Sequence, residues 1–149
     1  MAETLDAEVR HFLEGEVRIG KLAVVRKAGT PWVQPVWFAV DGDEIVFIIS
    51  KNSLMGRAVH RDGHVALCVD DVEVPYAFAV IEGEIRTIPD DDEAIKWMTH
   101  LTKRYRDDVA HPEAHAAMLT REYGTILGRM TIDRVYFEPV VAPAPATEV

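Results

Sequence analysis

The sequence predicts a mainly β protein: an antiparallel barrel, closed or nearly closed, with a few helices. Three observations carry that expectation. Six or seven β-branched or alternating runs follow one another with turn signals between them. Strand–helix alternation is too sparse for a doubly wound parallel sheet, and no G-x-G-x-x-G stretch opens a helix. At 149 residues and 48% hydrophobic, the chain suits a single domain, expected over residues 1–140 with a disordered tail at 141–149.

Charge and cysteine content narrow the class. Acids outnumber bases 25 to 16, a net charge of -9, which argues against a nucleic-acid or anionic membrane partner. A single cysteine rules out an internal disulfide, and no apolar run reaches spanning length, so a cytoplasmic protein is expected.

The elements follow in order. "ETLDAEVRHFLEG" sets Leu5, Val9, Phe12 and Leu13 on one helical face, with Gly15 at its end. "VRIGKLAVV" and "PWVQPVWFAV" flank Lys27-Ala28-Gly29-Thr30 and read as a hairpin. The second arm is expected to continue through Asp41-Gly42 into "DEIVFIIS", because Asp-Gly between apolar runs is a strong hairpin signal. Three antiparallel strands are then in place by residue 50. Pro35 stands inside the second, where it removes a ladder hydrogen bond. Alternation would send Trp32 and Phe38 to one face and Trp37 to the other.

"SLMGRAVHRDG" is helical, capped by Asn52 or Ser53 and ended by Gly63. "HVALCVDD" and "YAFAVIEGEIRTI" are strands, the second bending at Gly83. "DDDEAIKWMTHLTKRYRDD" is the clearest helix, acids in its first turn and bases in its last, with Ile95, Met98, Leu101 and Tyr105 on one face. "PEAHAAMLTREY" makes another helix with Pro112 in its first turn, and "TILGRMTIDRVYFEP" a final strand or strand pair.

Lys51, Arg57, His60 and Arg61 form a basic cluster with no acid among them. With Ser53 at a helix start it is either a phosphate receptor or an ordinary solvated face. Trp32, Trp37 and Phe38 supply either a stacking wall or a subunit contact beyond what the core uses. Tyr76 and Phe78 share a strand face, and sheet packing accounts for them. Cys68 reads as a buried structural thiol. His111 and His115 have metal-gripping spacing, but "HPEAH" lacks the glutamate of the zinc helix and a third ligand, so no metal is expected. No catalytic set is legible. Enzyme chemistry here would belong to a bound cofactor.

The order of "QPVWFAVDGDEIVF", "GRAVHRDGHVALCVDD" and "VPYAFAVIEGE" resembles the split β-barrel, FMN-binding, pyridoxamine-phosphate-oxidase-like superfamily. It is most similar to the actinobacterial branch of deazaflavin (coenzyme F420)-dependent reductases, over roughly Phe12 to Tyr136. The resemblance implies a homodimer with cofactor at the subunit interface and hydride transfer from reduced F420 to a polarised double bond of a small substrate. By the same resemblance, Gln34, Pro35, Val36 and Trp37 flank the ring. Ser50, Lys51, Ser53, Met55, Gly56 and Arg57 receive the polar tail, and Tyr76 and Phe78 close the site from the partner. The family pattern of Thr/Ser-x-Lys followed by Asn is replaced by Ser53-Leu54-Met55 and Ala58. An FMN flavoprotein and a non-catalytic cofactor or ligand carrier are the alternatives.

Overall fold

Asp6 starts the first helix. Its carboxylate accepts from the Val9 N–H at 2.9 Å, and α1 (Ala7–Glu14) turns Val9, Phe12 and Leu13 into the core. The computed structural model describes residues 3–139, so the tail expected at 141–149 lies outside the described residues.

Among the described residues, seven strands form one antiparallel sheet: β1 (Gly20–Val25), β2 (Pro31–Val36), β3 (Ala39–Asp41), β4 (Glu44–Ser50), β5 (His64–Asp70), β6 (Phe78–Ile88) and β7 (Thr125–Glu138). Their order is β2-β1-β5-β6-β7-β4-β3. The edge strands β2 and β3 are therefore farthest apart across the sheet, yet only Trp37 and Phe38 separate them in the chain. Three Cα steps reach no more than about 11 Å. The sheet must roll until its edges approach, which makes a barrel left open between β2 and β3: a split barrel.

This corrects the continuous second arm expected from sequence. The chain breaks at Trp37-Phe38, so four strands precede residue 51. Trp32 and Phe38 do not share an environment either: Trp32 is 37% exposed, whereas Phe38 is fully buried. The physical reason is rolling. A chain that must leave one edge and join the other cannot keep its alternation through the corner.

Helices stand between the strands where the sequence places them. α2 (Leu54–Arg61) joins β4 to β5, while α3 (Asp91–Tyr105) and α4 (Pro112–Tyr123) lie between β6 and β7. β4 is buried on both faces. Ile45, Phe47 and Ile49 pack into the main core with Phe38, Leu67 and Met130, and Val46 and Ile48 meet α3. The packed stripe of α3 is Ala94, Trp97 and Leu101, with Tyr105 beside it. The expected stripe is rotated, leaving Ile95 and Met98 half-buried, because Trp97 offers more area to bury than either. Gly83 falls at the register shift of β6, as expected, and a Cβ there would lie 1.8 Å from the Thr131 carbonyl oxygen.

Candidate functional site

A cleft of about 450 Å³ opens where the sheet is split. One wall is the edge strand β2, with Gln34, Pro35 and Val36, continued by Trp37. The facing wall is the end of β4 at Ile48, Ile49 and Ser50, joined by Thr125 at the start of β7. Ser53 and Met55 come from the start of α2, Met98 and Leu101 from α3, and Ile19 from the approach to β1. Among the described residues no charged side chain lines it. Because β2 has a neighbour on one side only among the described residues, alternate backbone groups of that strand have no partner strand there. Pro35 is tolerated here for the same reason.

The chain from Ser50 to Gly56 is tightly cross-braced. Ser53 Oγ donates to the Ser50 carbonyl at 2.7 Å and accepts from the Gly56 N–H at 3.0 Å. The Arg57 N–H donates to the Ser53 carbonyl at 3.0 Å. The Leu54 and Met55 amides remain at the helix start without intrahelical partners. Gly56 sits so close to the preceding loop that a Cβ would be 2.1 Å from the Ser50 carbonyl oxygen. Its lack of a side chain serves helix docking. Met55, 2% exposed, belongs to the main core and also forms part of the cleft floor.

The structure divides the other residues singled out in the sequence. Arg57 and Arg61 project from the opposite face of α2, where they line a separate cleft with Arg26 and Lys27. Helical spacing is the cause, since positions 54, 57, 58 and 61 share one face while 55 shares another. The aliphatic chain of Lys51 lies beside Gly124, whose Cβ position would be 3.1 Å from Lys51 Cε; Lys51 does not line the neutral cleft. His60 is exposed, on neither cleft. Tyr76 and Phe78 line a further hollow of about 500 Å³ with Lys21, Cys68 and Asp70, away from Trp37.

Cys68 is only half-buried, which corrects the buried thiol expected, and desolvation pushes its pKa up. His111 caps α4 without a side-chain hydrogen bond, and His115 lies a turn later. Among the described residues no three His, Cys, Asp or Glu side chains converge, and no helix is long and apolar enough to cross a membrane.

Sequence reasoning missed Ile19, Ile48, Ile49, Met98, Leu101 and Thr125 as cleft residues. Ile48 was findable: "EIVFIIS" is apolar at successive positions, the mark of a strand covered on both sides. The others depend on how distant elements meet.

A rolled antiparallel sheet, split between its edges and holding a neutral cleft there, defines a split-barrel protein. The chain belongs to the pyridoxamine 5'-phosphate oxidase family, whose description matches residues 5–137. It is similar to the solved structure of an F420 reductase, with 25% identity and a TM-score of 0.70 over 85% of this chain and 94% of that one. A conserved hypothetical protein from Mycobacterium tuberculosis superimposes with a TM-score of 0.77 at 17% identity, covering 99% of this chain and 96% of that one. A heme storage protein from Vibrio cholerae gives a TM-score of 0.69 at 15% identity, covering 90% and 94%. These last two likenesses concern the fold alone. No curated protein sequence matches the chain.

Proposed function

We propose that the neutral cleft binds the flat ring of a flavin-type cofactor, coenzyme F420 in the first instance, and that the protein is a reductase of small organic substrates. The observation that carries this reading is the cleft itself: Trp37 beside an edge strand whose outward backbone groups are free, with no charged side chain along the walls. Its volume suits a small-molecule site, typically about 300–1,000 Å³. The similarity to the F420 reductase supports the choice of ring.

The residues fit the ring end of such a group. Gln34, Val36 and Trp37 flank it, and Pro35 and the free edge of β2 offer backbone groups to its polar rim. Ile48, Met55, Met98 and Leu101 keep water from the buried side, which strengthens every polar contact made inside. The anionic end has the Ser50 hydroxyl group and the Leu54 and Met55 amides, without a cation in the cleft. When bound, reduced F420 supplies a hydride to a polarised double bond. Orientation and exclusion of water are the chain's contribution.

A homodimer completes the proposed site, with Tyr76 and Phe78 reaching the cleft from the second copy. Val72, Val74, Tyr76 and Tyr136 are 84%, 70%, 46% and 56% exposed, an apolar surface that supports pairing. A second reading takes FMN, whose short phosphate tail suits a site offering amides and hydroxyl groups in place of cations. A carrier without turnover remains the non-enzymatic reading.

Titration of the purified protein with F420 and with FMN, followed by tryptophan fluorescence, tests the assignment. Tight quenching by F420, reduced in a Trp37→Phe variant, is expected. FMN binding with none for F420 would reverse the order, and binding of neither would remove the flavin reading.

A further inference from the structure

The second cleft on α2 has no part in the site above. It measures about 340 Å³ and is lined by Arg26 and Lys27 from the β1–β2 turn, and by Leu54, Arg57, Ala58 and Arg61 from α2. Four cations converge on an apolar floor made by Leu54 and Ala58. Among the described residues none of the four has a carboxylate partner, although acids outnumber bases 25 to 16. Elsewhere the same chain pairs its bases: Arg18 with Asp71, Lys21 with Asp70, Arg86 with Glu44, Arg129 with Asp41.

Folding accounts for part of this cluster. Arg61, in the last turn of α2, complements the helix dipole, and Arg26 lies over the Trp32 ring at 5.6 Å. Arg57 has no such reason, because it lies mid-helix, short of the last turn where the dipole favours a cation, and the first turn of α2 carries no acid to pair with it. By contrast, α3 begins with three acids.

The side chains are also steadied from within. Arg57 Nη1 donates to the Asn52 carbonyl at 2.8 Å, Arg61 Nη2 to the Val25 carbonyl at 3.2 Å, and Arg26 Nε to Thr30 Oγ1 at 3.1 Å. Each guanidinium has five N–H donors, so each keeps most of them for a ligand. Held stems and spare donors are the conditions under which an arginine cluster grips an anion with little entropy loss.

We infer that this cleft is an independent binding site for a small, multiply charged anion of the phosphate or polycarboxylate type. It shares no lining residue with the neutral cleft, so the inference stands whether or not that cleft takes a flavin-type ring.

Calorimetric titration of the full chain with inorganic pyrophosphate, and separately with citrate, provides the test. Saturable binding that weakens with added salt is expected. The double variant Arg26→Gln/Arg57→Gln should weaken it at least about tenfold, while Arg121→Gln, an exposed cation on α4, leaves it unchanged. Thermal melts of each variant establish that it is folded. No saturable binding, equal loss in Arg121→Gln, or no loss in the folded double variant overturns the site. Saturating pyrophosphate should leave FMN and riboflavin titrations of the neutral cleft unaltered. Competition with FMN but not with riboflavin would assign the cations to the tail of the ring-bound molecule and overturn independence.

Discussion

Trp37 and Tyr105 lie parallel, their ring centroids 5.1 Å apart with 1° between the planes. That separation in parallel rings is an offset stack. The Tyr105 hydroxyl donates to the Arg18 carbonyl at 2.7 Å, and the Phe38 N–H points to it at 3.4 Å. One tyrosine at the end of α3 thus fixes the corner where the chain leaves β2 for β3, and with it the ring on the cleft wall.

Tyr105→Phe keeps the stack and removes the hydroxyl. A loss of about 0.5–1.5 kcal/mol is expected by urea unfolding, with ligand quenching of Trp37 nearly intact. Tyr105→Ala should cost about 3–5 kcal/mol and weaken ring binding as well, because Trp37 loses its support. Equal stability for wild type and Tyr105→Phe would show that the hydroxyl bonds carry nothing.

Met55 tests the link between core and cleft. Met55→Leu should cost less than about 1.5 kcal/mol, since volume is conserved. Met55→Lys should lower the melting temperature, because its ammonium starts from a site 2% exposed and must reach the cleft to be solvated. If it does so, FMN will raise the melting temperature of the variant more than that of wild type. A Met55→Lys protein as stable as wild type without ligand contradicts the burial argument.

Gly56→Ala is expected to be costly for a steric reason. Its new methyl would meet the Ser50 carbonyl oxygen at 2.1 Å, and that neighbour is backbone. A loss of about 1–3 kcal/mol should follow, with weaker ring binding as Ser53 and Met55 shift together. Calorimetric melts and the fluorescence titration read the two effects, and an unperturbed melt would mean that α2 moves freely.

His64 gives a pH signature. Its pKa is raised above 6.5, chiefly by the hydrogen bond with Asp62 at 2.8 Å and then by the charge of Glu84. A raised folded-state pKa contributes stability fully present below the ordinary histidine value and lost as pH rises through the folded one. Asp62 runs the other way. Hydrogen bonds from the His64 backbone and side chain lower its pKa, so its contribution is present above 3.8 and fades as pH falls through the folded value. Both groups are open to solvent, so the effect is small. Melting curves of wild type and His64→Gln should differ most in mildly acid buffer and converge in alkaline buffer. A difference that grows with pH would refute the pairing.

The sequence and the structure agree where the rule is local. Ser53, one of the two caps expected, starts α2, and Gly83 marks the irregular point in β6. Gln34 through Trp37 do line a cleft, as do Ser50, Ser53 and Met55. Lys51, Arg57, Tyr76 and Phe78 do not line it within one chain. Their proximity in sequence to cleft residues says nothing of which helix face docks or which hollow a strand end borders.

The amino-acid pattern alone determined the helices and the antiparallel class, because caps, turns and alternation act within a few residues. Tertiary structure alone decided that β2 and β3 close on each other around Trp37-Phe38, that Trp97 displaces the expected stripe of α3, and that α2 carries a neutral cleft on one side and a cationic one on the other. Those outcomes depend on burying apolar area from elements distant in the chain, and no local spacing encodes which surfaces will meet.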